Sequence, residues 1–170
     1  CIGPGGEKKV LFASIMNDKH RAAGRSGVGA VMGSKNLKAV VVKGKGRIPL
    51  ADEDAFKAFN KKILNIFMEG VKQAPLGLTV NGTAGVVMST QNFGVLPTKN
   101  WQQGTFEGWE KIHGEELTRR FLKKNSGCFG CPISCGRLTK VDEAEFKGEG
   151  EGPEYETIYA MGSNCLIDDL

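Results

Sequence analysis

Three cysteines, Cys128, Cys131 and Cys135, stand within eight residues in the order C-x2-C-x3-C. A C-x2-C turn brings two sulfurs to one side, and the third thiolate extends the set toward three corners of a cubane iron–sulfur cluster. Gly130 permits unusual backbone angles between the ligands, and Pro132 stiffens the exit. A cubane needs a fourth ligand, to be found in Cys1, in Cys165 or in a cysteine outside these residues. Structural zinc is the main rival. Its small sites usually pair two C-x2-C units; no second unit occurs, and His113 stands alone before a helix. Three buried free thiols at this spacing, beside two glycines and a proline, are the blander reading. The loop of radical-type clusters has the reverse order, C-x3-C-x2-C. Spacing favours iron–sulfur and leaves zinc open.

A second dense signal runs from Arg21 to Asn36, R-A-A-G-R-S-G-V-G-A-V-M-G-S-K-N. Glycines let a backbone approach a ligand and turn its N–H groups toward an anion. Arg21 and Arg25, four residues apart, offer fork-shaped donors for phosphate. The run is neither a G-x4-G-K-[ST] loop nor G-x-G-x-x-G. On chemistry alone it is either a phosphate or cofactor cradle or a tight glycine-packed turn.

Taken with its neighbours, this run resembles the cofactor-binding signature of the tungsten-containing aldehyde ferredoxin oxidoreductase family. So do Cys1-Ile-Gly-Pro-Gly-Gly-Glu7, Leu96-Pro-Thr-Lys-Asn-Trp101, Cys128-Phe-Gly-Cys131-Pro-Ile-Ser-Cys135-Gly-Arg137 and Gly152-Pro-Glu-Tyr-Glu156. The blocks occur in the family's order and cover most of the chain. The resemblance implies a tungsten or molybdenum bis-pterin beside a [4Fe–4S] cluster, with Mg bridging the pterin phosphates. Arg21, Ala22, Gly24 and Arg25 would contact the pterin and its phosphate. Cys128, Cys131 and Cys135 would be three cluster ligands, the fourth lying far beyond Leu170. Cys1 and Cys165 would then be ordinary packed thiols. The family also has a glutamate near the metal in this region, where a carboxylate can activate water or move a proton. Glu154 and Glu156 are the candidates, with Glu156 preferred; either could instead be a helix N-terminal acid favoured by the dipole.

The implied reaction oxidises an aldehyde to a carboxylic acid and passes electrons through the cluster to ferredoxin or an electron-transfer subunit. Two alternatives are an aromatic-ring thioester reductase of the same family and a non-catalytic zinc-binding interaction module. An oligomer is expected of the full-length protein.

The elements that must position these groups fall into two parts. Lys9 to Ile15 reads as a buried strand, and Lys38 to Lys43 as a second. Gly44 to Pro49 punctuates the chain, and the period becomes helical from Asp52 onward. Acidic Asp52, Glu53 and Asp54 suit a helix N-terminus, and Phe56, Phe59, Ile63, Ile66 and Phe67 form one apolar face. Gly70 is expected to end that helix. Leu76 to Trp109 reads as short helices and loops, Glu115 to Lys124 as an amphipathic helix leading into the cysteine loop, and Asp142 to Gly152 as an exposed acidic turn. Order returns over Glu154 to Met161, and the last residues, from Asn164, read as a helix N-terminus. The expected fold is α+β: residues 1–49 complete a β-rich pterin-binding domain, and residues 50–170 begin a mostly helical domain carrying the cluster loop.

Composition narrows the class. The 170 residues are 40% hydrophobic and 25% charged, with net charge +4 from 23 basic and 19 acidic side chains. The basic residues are scattered among acidic ones, so a nucleic-acid surface is not expected. No run of eighteen apolar residues occurs, so no membrane span is expected. The start lacks an initiator Met and a signal peptide, and both ends suggest a segment of a longer protein. Five cysteines, odd in number and three of them clustered, fit reduced thiols of a cytoplasmic protein better than a disulfide framework.

Overall fold

A computed structural model of the chain describes residues 1–18, 21–73 and 77–170. The chain divides into two compact units, Cys1–Ala51 and Asp52–Leu170. Helices and small antiparallel sheets together make an α+β structure. Among the described residues, no helix is long and apolar enough to cross a membrane.

The first unit contains α1 (Pro4–Glu7), an antiparallel ribbon of β1 (Ile15–Asn17) and β2 (Arg21–Ala23), and α2 (Val28–Ser34). The ribbon pairs Ile15 with Ala23 and Asn17 with Arg21. Glycine decides how closely α2 can approach. A Cβ on Gly29 would strike the Ala13–Ser14 backbone, and one on Gly33 would strike the Gly6 carbonyl. The Gly29 N–H donates to Ala13 O at 2.9 Å, which fixes the contact.

Both strands expected in this unit are corrected. Lys9 to Phe12 forms a turn: Lys9 has φ +58°, Val10 N–H donates to Gly5 O, and Ala13 N–H donates to Val10 O. Leu11 and Phe12 are 87% and 84% exposed. The β structure starts only at Ile15. The segment over Lys38 to Lys43 has no regular structure, and Val40, Val41 and Val42 are exposed. Apolar, β-branched sequence becomes strand only where a neighbouring edge satisfies its backbone.

In the second unit, Asp52 caps α3 (Glu53–Gln73): its Oδ1 accepts from Ala55 N–H at 2.8 Å, as the acidic start suggested. The helix runs through Gly70 rather than ending there, since one exposed glycine costs only about 1 kcal/mol in a long helix. Its expected apolar face exists as a stripe, but Phe56, Phe59, Ile63, Ile66 and Phe67 are all exposed. Of the stretch from Leu76 to Trp109, Leu76 lies outside the described residues. The rest holds α4 (Leu78–Asn81), a 3-10 turn (Thr83–Gly85), α5 (Val86–Asn92) and loop. After α6 (Trp109–Ile112) and α7 (Gly114–Phe121) comes a sheet that periodicity did not reveal. It consists of β3 (Leu122–Ser126), β4 (Gly136–Val141) and β5 (Gly148–Glu151), in that order and antiparallel.

This sheet corrects two expectations. The amphipathic helix stops at Phe121, because Leu122 turns extended (ψ 122°) and the following residues pair with β4. The acidic segment is not all turn, because Gly148 to Glu151 pairs with Val141 to Leu138. Helix α8 (Tyr155–Met161) follows, and a 3-10 turn (Ser163–Cys165) stands where a helix start was expected. The core of this unit is Ala84, Val87, Leu96, Phe106, Ile112, Leu117 and Ile158, flanked by Trp109, Phe121, Tyr155, Tyr159 and Leu170.

Near that core, Lys99, Asn100 and Trp101 all have left-handed φ, +50°, +51° and +63°. Three successive non-glycine residues in this region are uncommon and individually unfavourable. Their N–H groups are held by the Ser163 carbonyl (3.1 Å), the Asn164 carbonyl (2.8 Å) and the Asn164 side chain (3.0 Å). The Ser163 hydroxyl in turn donates to Pro97 O at 2.7 Å.

Candidate functional site

The cysteine loop is the tip of the β3–β4 hairpin. Ser126 pairs with Gly136, and residues 127–135 project between them. Within the loop, Cys131 N–H donates to Cys128 O at 3.0 Å, closing a turn in which Gly130 takes φ +69°. Phe129 at the tip is fully exposed. All three thiols are free, Cys128 exposed and Cys131 and Cys135 half-buried. Among the described residues, no three Cys, His, Asp or Glu side chains converge closely enough to hold a metal ion. His113 precedes α7, where its ring lies 5.3 Å from that of Trp109. Cys1 and Cys165 are exposed rather than packed, with Cys165 Sγ 3.3 Å from Ala160 O.

Directly after the last cysteine, Arg137 is 1% exposed, the largest fully buried side chain described. Its Nη2 donates to Leu78 O (3.1 Å) and Thr79 O (2.9 Å), and its Nη1 donates to Asn125 Oδ1. Asn125 Nδ2 donates to the same Thr79 carbonyl at 2.8 Å. Both stems of the hairpin are thereby fastened to α4. Gly82 (φ +61°) makes the approach possible, because a Cβ there would lie 2.7 Å from both Arg137 Nε and Cys135 O. Burial lowers the Arg137 pKa, while the negative charge of Cys135 and Glu154 raises it. Arginine keeps its proton in either case.

The two candidate glutamates stand differently. Glu154 precedes α8, where its backbone carbonyl accepts from Thr157 and Ile158 N–H, each at 3.0 Å. Its half-buried carboxylate accepts a 2.5 Å hydrogen bond from the Thr83 hydroxyl, which itself accepts from Tyr155 N–H at 3.0 Å. Glu154 is therefore held in place. Glu156 is exposed in the first turn of α8.

In the first unit, the Arg21–Arg25 run covers β2 and the turn after it. Arg21 is half-buried, and Ala22, Gly24 and Arg25 are exposed. The glycines divide by role. Nothing lies within 4 Å of where a Gly24 Cβ would sit, whereas Gly27, Gly29 and Gly33 press against backbone. The run is thus a helix packed through its glycines in its second half and an open, arginine-flanked backbone in its first.

Nothing in the local sequence marks Gly82, Thr83 or Asn125, and Arg137 stands out only as the tail of the cysteine motif. Their partners lie far away in sequence, Arg137 to Leu78 for example, and no local spacing announces such pairs. The one local signal is the arginine two residues after the last cysteine of the loop, on a strand that the sequence does not announce.

Comparison with known proteins covers nearly the whole chain. The family model for aldehyde ferredoxin oxidoreductase, N-terminal domain, matches residues 1–44, and that for domains 2 and 3 matches residues 58–170. The chain is 46% identical to a tungsten-containing aldehyde ferredoxin oxidoreductase of Pyrococcus abyssi, over 99% of this chain and 27% of that protein. It is 47% identical to the Thermococcus kodakarensis protein of the same description, again over 99% and 27%. An aliphatic sulfonate oxidoreductase, WOR-like subunit, of Pyrococcus furiosus is 34% identical over 98% of the chain and 26% of its own length. The chain spans about a quarter of the length of these relatives.

Proposed function

Because the chain belongs to the aldehyde ferredoxin oxidoreductase family, we propose that it forms part of an enzyme oxidising aldehydes to carboxylic acids with a tungsten or molybdenum bis-pterin and a [4Fe–4S] cluster. The overall change is aldehyde plus water to carboxylic acid, two protons and two electrons. The observation that carries this reading is a set of three free thiols on one hairpin tip, rooted by a buried arginine, in a chain closely similar to tungsten enzymes. The donor set fits thiolate ligation of iron. Cys128, Cys131 and Cys135 would hold three corners of the cluster, and a cysteine beyond Leu170 the fourth. The open backbone at Gly24 and the exposed Arg25 fit an anionic group; Arg21, Ala22, Gly24 and Arg25 would hold the pterin and its phosphate, and Mg would neutralise phosphate charge there.

The tungsten or molybdenum pterin would supply two-electron oxidation of the aldehyde carbon, and the cluster would supply one-electron transfer toward ferredoxin or a partner subunit. The chain's own residues bind, orient and move protons. Glu156, exposed at the first turn of α8, is the carboxylate we assign to proton movement. Glu154, fixed by Thr83, supports it by holding the start of that helix. The hairpin loop carries one exposed and two half-buried thiols, which suits ligation of a group shared with a segment outside these residues. A cytoplasmic location and an oligomeric full-length protein complete the proposal.

Elemental analysis of the anaerobically purified full-length protein tests it. About four iron atoms and one tungsten or molybdenum per chain are expected. Zinc without iron or tungsten would overturn the proposal.

A further inference from the structure

Arg137 places a full positive charge in a nearly dry position, yet its hydrogen-bond partners are neutral: the carbonyls of Leu78 and Thr79 and the amide of Asn125. Its Nε has no partner among the described residues. A buried cation is ordinarily paired with an anion, because an unpaired charge in a low dielectric is strongly unfavourable. The negatively charging groups near enough to act on it are Cys135, a proposed ligand two residues away, and Glu154.

We infer that Arg137 is a positioning residue for electron transfer, a fixed cation whose counter-charge is the thiolate-bound cluster and which raises the cluster's reduction potential. The inference rests on the cluster assignment made above. A cubane with four thiolate ligands is net negative and gains one more negative charge on reduction. A cation held close by therefore favours the reduced form over the oxidised one. Neutral anchoring matters here, since a carboxylate in direct contact would cancel the field. Gly82 keeps the guanidinium beside the loop by leaving room for both Arg137 and the Cys135 carbonyl.

The test uses the full-length protein, purified anaerobically, with Arg137→Gln and Arg137→Lys variants, iron counts and a redox titration followed by electron paramagnetic resonance. Glutamine keeps polar bonding and loses the charge; lysine keeps the charge and loses the fork. The Gln variant is expected to shift the reduction equilibrium about tenfold toward the oxidised cluster, a fall of about 59 mV for a one-electron couple. The Lys variant is expected to stay within about threefold of the wild type, which corresponds to less than half that shift. Loss of iron in the Gln variant alone, with a Lys variant that loads and titrates like wild type, equally supports the role of charge. Equal shifts, equal iron loss or no shift in the two variants would overturn it and leave Arg137 a purely structural bolt. Wild-type protein lacking iron would instead defeat the cluster assignment itself, so the two failures are told apart.

Discussion

Asn125 and Arg137 face each other directly across the β3–β4 hairpin and share one acceptor, the carbonyl of Thr79, at 2.8 and 2.9 Å. The pair sits one position outside the hairpin's closing residues, so each stem of the cysteine loop is tied to α4 immediately before the thiols begin. Whatever binds at the tip inherits the precision of that tie.

Asn125→Ala should loosen the loop by removing the acceptor of Arg137 Nη1 and one donor to Thr79. A loss of about 1–2 kcal/mol is expected, because a buried donor left unpaired costs more than an average hydrogen bond contributes. Denaturant unfolding of the full-length protein measures it. An unchanged midpoint would mean that Asn125 does not help to hold the hairpin.

Substituting two glycines should give opposite results. Gly82→Ala introduces a Cβ at left-handed φ against Arg137 and Cys135, and should cost about 1–3 kcal/mol and lower iron occupancy. Gly24→Ala meets open space and should leave stability within about 0.5 kcal/mol. A destabilised Gly24 variant would show that this backbone does not face open space.

Cys131→Ala should abolish cluster iron, whereas Cys165→Ser should leave the iron count unchanged. Cys165 is exposed, and the fourth ligand is assigned elsewhere. Retained iron in the first variant, or lost iron in the second, would redraw the ligand set.

The two glutamates should separate kinetically. Glu156→Gln should lower kcat by about a hundredfold or more, the usual worth of a positioned proton-transfer group, with stability nearly unchanged because the side chain is exposed. Glu154→Gln should keep most of kcat and cost about 1 kcal/mol, since its carboxylate is held by Thr83. The reverse order would move the proton-transfer role to Glu154.

The sequence disclosed features whose causes are local. The acidic start of α3 at Asp52, its apolar stripe and the turn-forming cysteine loop all follow from neighbours within a few residues. The strands did not follow the same logic. The run from Lys9 to Ile15 is apolar enough for a strand, yet the carbonyls of Ala13 and Ser14 turn to meet Gly29, and the chain bends. Conversely, Leu122 to Ser126 carries two lysines, an asparagine and a serine, a composition poor for a strand, and is extended because β4 pairs with it. The candidate site divides in the same way. Its thiols and arginines were visible as spacing, while the Arg137–Thr79 and Glu154–Thr83 bonds join residues 58 and 71 positions apart.

The hairpin also sets an order of assembly. Ser126 and Gly136 are close in sequence, and hairpins of this kind close within about 1–10 μs, long before any metal could be delivered. The unit's core, from Ala84 to Ile158, draws nothing from the loop. The stems therefore need no metal to pair, unlike a zinc finger, whose folding waits for its ion. On the proposed cluster assignment, a tip emptied of iron would keep its stems in register, ready to be refilled without the polypeptide being made again.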